Sequence, residues 1–203
     1  MQYSGLQVFS FVVLLVGTAA VIGAIATSYW STSTKDGIIT KVTEHRGLWE
    51  SCHTGIVLST ETEYCSNRFS GLIDVDKKTI DYDKIKFQAW EYAVLILMTA
   101  SALLGIISLI SSPCCCNRCG CCLTLLVLLA TLCCGAGVGV YAYEKETGNT
   151  MTVKVLGEEF KVSTPTGDYG WSFWLAVAGG ACQLLATLCF GVSRGRQRSY
   201  SNV

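Results

Sequence analysis

Long apolar runs alternate along this chain with charged ones. Residues 1–34, 92–117, 119–143 and 169–193 contain no Asp, Glu, Lys or Arg. Each run holds about 18 or more mainly apolar residues, the length that crosses the hydrocarbon core as a helix. The pattern predicts spans near Leu6–Ala26, Ala93–Ile110, Cys121–Tyr143 and Trp171–Val192. Small residues recur within them at helix-packing distance, at Ala20 and Ala24, Ser101 and Gly105, Gly135 and Gly139, and Ala176 and Gly180. Such pairs let helix backbones approach closely. Ala24-Ile25-Ala26 also fits a signal-peptide cleavage site. Against cleavage, residues 1–5 carry no basic residue and the apolar run exceeds a usual signal core.

The polar segments read differently. Trp30–Thr34, Ile38–Val42 and Gly47–Cys52 are short and β-rich, broken by Asp36-Gly37 and by Glu44-His45-Arg46, so strands with turns are predicted. Thr150–Val155 and Phe160–Thr164 alternate around Leu156-Gly157-Glu158-Glu159, a hairpin pattern. This hairpin is expected to extend the edge of the first sheet. Thr147-Gly148-Asn149 should end the third helix, and Asp81–Tyr92 is expected to lead into the second span as a helical extension. The fold class is therefore an all-α transmembrane four-helix bundle with a small extracellular antiparallel β-sheet. It forms a single tetraspan domain over 1–203, with long loops at 27–92 and 144–170, a connection at 111–120 and a tail at 193–203.

Composition agrees, with 51% hydrophobic residues and a mean hydropathy of +0.43. The formal net charge of zero hides a polarised chain. Arg118 stands alone in the short connection, and Arg194, Arg196 and Arg198 mark the tail. Segment 35–91 has 8 basic and 10 acidic residues, and 144–168 has 3 and 5. Basic residues stay on the cytoplasmic side, so both termini are expected inside and both long loops outside. The spans, so placed, hold no ionisable side chain, which argues against an ion or proton path through the bundle. The chain has no N-glycosylation sequon.

Cys52 and Cys65 are the only cysteines on the polar, outward part of the chain, so they can pair only with each other. A bridge of this span removes unfolded-state entropy worth about 3 kcal/mol. It would staple a sheet too small to have much core of its own. Trp30 and Trp49 nearby suit a membrane interface, although core packing explains single tryptophans equally well.

Trp30, the triplet Gly47-Leu48-Trp49, Cys52 and Cys65, in the first outer loop of a four-span chain, resemble the claudin signature. They are also similar to the wider group of peripheral myelin proteins, epithelial membrane proteins and calcium-channel γ subunits. Tyr169-Gly170-Trp171-Ser172-Phe173 looks more like the γ-subunit branch. There are departures. The interval between the cysteines is longer than in most claudins, and Gln88-Ala89-Trp90-Glu91 puts an acid where many claudins carry an Arg entering span two. The second loop has a hairpin pattern where many continue a helix. The resemblance implies a divergent claudin-like protein at cell–cell junctions of the plasma membrane, tight or septate. Such a protein would polymerise and pair in cis and trans with itself and its relatives. It also implies charge selection near the second cysteine, here Glu61, Glu63 and Arg68, with Ser66 neutral directly after Cys65. The two acids lean towards cation preference; the same charges could simply solvate a loop.

Cys114, Cys115, Cys116, Cys119, Cys121 and Cys122 crowd the inner end of spans two and three. Juxtamembrane thiols are palmitoylation candidates, and Cys189 is a further one. Cys116 and Cys119 have half of a zinc spacing with no facing second pair, and apolar filling is the third reading. Cys133, Cys134 and Cys182 fall within spans as packing residues. The end, Ser201-Asn202-Val203, suits a PDZ scaffold that adds a ligand strand and holds the terminal carboxylate; a solvated tail is the alternative. With two histidines, His45 and His53, and no nucleophile elbow, phosphate loop or metal dyad, no enzyme, cofactor or resident metal is expected. The remaining expected partner is membrane lipid; nucleic acid is not one. The function class competing with a junction protein is an auxiliary subunit of a channel or receptor.

Overall fold

The computed structural model describes residues 5–36, 40–57, 60–67, 89–112, 120–147, 150–155, 158–163 and 167–201. Its elements run α1 (Gly5–Ala26), β1 (Ser31–Asp36), β2 (Thr40–Arg46), β3 (Glu50–Val57), β4 (Thr60–Asn67), α2 (Ala89–Ser111) and α3 (Gly120–Thr147). Then follow β5 (Thr150–Val155), β6 (Glu158–Ser163), β7 (Asp168–Tyr169) and α4 (Trp171–Ser201). Four helical segments are long and apolar enough to cross a membrane: Gly5–Ala26, Trp90–Ser111, Cys122–Thr147 and Trp171–Ser193. The chain is thus a multi-pass membrane protein, and its described residues comprise four long apolar helices, a small antiparallel sheet with a separate hairpin, and one disulfide.

The helices outrun the charge-free stretches. The second span takes in Glu91, and the third takes in Glu144, Lys145 and Glu146, which corrects the expectation of spans without ionisable groups. α4 likewise continues through Arg194, Arg196 and Arg198, so residues read as tail are helical to Ser201. Extending an existing helix avoids the cost of nucleation. Positions 81–88, where a helical lead into span two was expected, lie outside the described residues.

The described chain divides into two compact units. Unit one comprises Met1–Ala26, Leu95–Val138 and Trp174–Val203, and unit two Thr27–Val94 and Gly139–Phe173.

Unit one packs four helical segments through small residues. A Cβ built on Gly17 would lie 3.0 Å from the Gly179 carbonyl oxygen, and one on Gly105 would lie 2.6 Å from Thr18 Oγ1. Gly137 abuts Met98, and Gly180 faces Cys134. Ser101 and Gly105 are buried together, and so is Ala176. Gly135 and Gly139, by contrast, are exposed with open space beside them. Spacing alone does not tell which face a pair occupies, and here Gly137, between them, makes the contact. Leu14, Leu123, Val127, Ala186 and Phe190 form an apolar core cluster.

Unit two carries a five-stranded antiparallel sheet in the order β4-β3-β2-β1-β7. Glu44-His45-Arg46, expected as a turn, pairs within β2 instead, against Ser33, Thr32 and Ser31 of β1. The turn is Gly47-Leu48-Trp49, closed by Gly47 N–H donating to the Glu50 carbonyl at 2.8 Å. The hairpin β5–β6 forms as the alternation predicts, but as a separate two-stranded sheet. One edge of the main sheet is β4, and the other is β7, which pairs with β1 at only two positions.

Candidate functional site: the aromatic base of the sheet

The segment Thr27–Trp30 links α1 to β1, and it is clamped from two sides within unit two. Trp30 N–H donates to the Arg46 carbonyl at 3.1 Å, while Gly170 N–H donates to the Trp30 carbonyl at 3.0 Å. One residue earlier, the Tyr29 carbonyl accepts from Ser172 N–H at 3.2 Å. The Thr27 and Ser172 hydroxyls meet at 2.7 Å. These bonds satisfy main-chain groups of an irregular segment whose burial would otherwise be costly.

Trp30 is fully buried. Its ring meets Tyr141 edge-on at 4.9 Å and Phe173 at 6.2 Å, and Tyr141 also meets Trp90 at 5.9 Å. Tyr169 stacks on Phe173 at 4.4 Å. Such pairs add stabilisation beyond the area they bury. The Tyr141 hydroxyl, an otherwise costly buried group, hydrogen-bonds Ser31. Tyr29 forms an outer layer, stacked on Trp171 at 5.6 Å and tilted against His45 at 4.6 Å.

Two glycines are required by contact. A Cβ on Gly47 would sit 2.5 Å from Ser28 Cα, and one on Gly170 only 1.9 Å from the Tyr29 carbonyl oxygen. Leu48 and Cys52 are buried, and Trp49 is half-buried. Cys52 is bonded to Cys65, directly opposite it across β3 and β4 with Cα atoms 4.0 Å apart. Ser28 Oγ lies 3.9 Å from the Cys52 sulfur, where only the hydroxyl can donate. Trp30, Gly47, Leu48 and Cys52 thus gather around one short stretch of chain.

Charge reaches the base as well. Arg46 Nη2 lies 3.2 Å from Glu91 Oε1, joining β2 to the first turn of α2. The Glu91 side chain is 5% exposed and that of Arg46 48%. The acid at position 91 therefore takes part in a loop-to-span contact whose base comes from the sheet. Lys145 Nζ lies 3.9 Å above the Tyr169 ring, a cation–π arrangement. The Tyr169 phenol is held above its ordinary pKa by partial burial first, and then by the charge of the Glu146 carboxylate that it hydrogen-bonds.

The other residues read from the sequence lie apart from this base. Glu61 and Glu63 are on β4, opposite Ile56 and Thr54, and β4 is an edge strand with Tyr64 exposed. Cys122 is exposed near the start of α3, Cys121 precedes it on that helix, and Cys189 is half-buried on α4. Ser201 ends α4. Arg68, Cys114, Cys115, Cys116, Cys119, Asn202 and Val203 lie outside the described residues. Among the described residues, Glu50, Cys52 and Cys65 come close enough to resemble a metal site. The disulfide uses both sulfurs and leaves one carboxylate, which does not hold a metal ion.

Nothing local in the sequence marks Arg46 or Tyr141 as part of this base. Phe173 carried a signal in the run Tyr169–Phe173; Arg46 carried none, since its partner is far along the chain.

A sheet stapled by one disulfide is thus tied by a buried tryptophan to the ends of membrane helices in a four-span membrane protein. The family model described as Clc-like matches residues 4–195, and the chain belongs to that family, which is related to claudins and peripheral myelin proteins. No curated protein matches the sequence.

Proposed function

We propose that this protein is a cell–cell junction component that assembles side by side in one membrane and pairs with copies on the facing cell. The result is a paracellular barrier or an ion-selective path. The observation carrying this reading is the clamp around Trp30, which holds a small stapled sheet rigidly on helix ends. Adhesion between membranes needs such a preorganised surface, because ordering a loose loop on contact costs affinity. Family membership supports it. Both termini face the cytoplasm in this reading, following the distribution of basic residues. Any ion route runs over the loops, where Glu61 and Glu63 raise the local cation concentration. The cysteines of 114–122 and Cys189 carry acyl chains, and Ser201-Asn202-Val203 binds a PDZ scaffold. Because α4 is helical to Ser201, strand addition requires its last turn to unwind.

Epithelial monolayers expressing the protein test the reading. Changed electrical resistance with a cation-favouring dilution potential, diminished by Glu61→Gln with Glu63→Gln, supports the loop route. An anion-favouring shift, or a cation preference indifferent to the double change, rules out these carboxylates as the selecting groups.

The second reading is an auxiliary subunit of a membrane channel or receptor, favoured by the run Tyr169-Gly170-Trp171-Ser172-Phe173. Diffuse surface staining with a co-purifying channel would support it over the first.

A further inference from the structure

Each helix of unit one contributes one fully buried polar side chain near the middle of its span. These are Thr18 of α1, Ser101 of α2, Cys134 of α3 and Gln183 of α4, none more than 2% exposed. They lie at one level. Ser101 Oγ donates to Gln183 Oε1 at 3.2 Å and is also hydrogen-bonded to the Cys134 thiol, whose sulfur lies 3.6 Å from the Ala176 carbonyl oxygen. Thr18 lies against Gly105, one turn from Ser101, and a Cβ on neighbouring Gly17 would come within 3.2 Å of the Gln183 backbone nitrogen. Two polar atoms of this layer, Thr18 Oγ1 and Gln183 Nε2, are buried without a hydrogen-bond partner.

A bare amide in the membrane interior costs several kcal/mol. The orphaned groups are an amide donor and a hydroxyl that can donate or accept. A guest for both must therefore accept from Gln183 and exchange a hydrogen bond with Thr18. It must also be neutral, because Thr18, Ser101 and Gln183 carry no charge and the Cys134 thiol is protonated, so nothing offsets the dehydration of an ion. Water fits each condition, and buried waters of this kind typically complete unsatisfied groups. Gly17 and Gly105 let α1 approach α4 and α2 closely at this level, which brings Thr18 and Gln183 into the same layer.

We propose that the Thr18–Ser101–Cys134–Gln183 layer is an internal hydration site. One water accepts from Gln183 Nε2 and hydrogen-bonds Thr18 Oγ1. The site ties α1 to α2 and α4 and fixes their register, as a single buried polar group does in coiled coils. It is independent of the junction reading.

Isotope-labelled full-length protein in bicelles tests this by NMR. The Gln183 side-chain amide protons should show a cross-peak to water, strongly reduced in Thr18→Val, a change that keeps the shape and removes the hydroxyl. Thr18→Val should also lower the unfolding midpoint by about 2–4 °C, the shift expected for one hydrogen bond in a chain of this size. Thr18→Ser, which retains the hydroxyl, should keep the cross-peak. No water cross-peak in the unaltered protein, or a midpoint unchanged or raised by Thr18→Val, would overturn the site.

Discussion

Arg46 of β2 and Glu91 of α2 form an ion pair 3.2 Å long in which the carboxylate is almost wholly buried. Removing either residue affects the pair differently. Arg46→Ala leaves a buried carboxylate without its guanidinium, whereas Glu91→Ala leaves an arginine that water still reaches. Because Arg46 is about half exposed, the pair is worth less than a fully buried one. Arg46→Ala should cost roughly 1–3 kcal/mol, and Glu91→Ala less. A double-mutant cycle followed by thermal unfolding in detergent should show positive coupling. Strict additivity would mean that the two side chains do not stabilise each other.

Gly47 and Gly170 should tolerate no side chain. Alanine at either position drives a methyl into the backbone of Ser28 or Tyr29. A loss on the order of 2 kcal/mol or more is expected, since backbone cannot yield as a flexible side chain does. Gly135→Ala and Gly139→Ala provide the contrast, because both positions are exposed with space around them. They should be neutral or slightly stabilising, as alanine is the better helix former. Unfolding midpoints of the four variants check this directly.

That contrast also shows what local sequence can carry. The four helices are legible because hydrocarbon demands long charge-free runs, and Trp30, Gly47 and Cys52 because their spacing is distinctive. The charged run Glu44-His45-Arg46 predicts a turn, yet it pairs within β2, and Arg46 meets Glu91, far along the chain. β7 spans only Asp168 and Tyr169, too short for any alternation to register. It takes the place beside β1, while hairpin β5–β6 forms a sheet of its own. For Gly135 and Gly139, helical spacing was present but facing was not, because facing depends on the other three helices.

The Cys52–Cys65 bond should be worth about 3 kcal/mol to the folded protein. Peptide mapping without reduction should recover the two cysteines as one linked pair. Cys52→Ser should lower the unfolding midpoint and hold the protein inside the cell. Normal surface delivery of Cys52→Ser would show that the eight paired positions of β3 and β4 suffice without the staple.

Pairing across the gap between cells is the central claim, and a mixed-culture experiment reads it most directly. Cells lacking junctions of their own are divided, one half expressing the protein with a fluorescent tag, and the two halves are grown together. The protein should concentrate at borders shared by two expressing cells and stay diffuse where an expressing cell meets a non-expressing one. Equal fluorescence at both kinds of border would contradict pairing between copies and leave the junction reading without its mechanism.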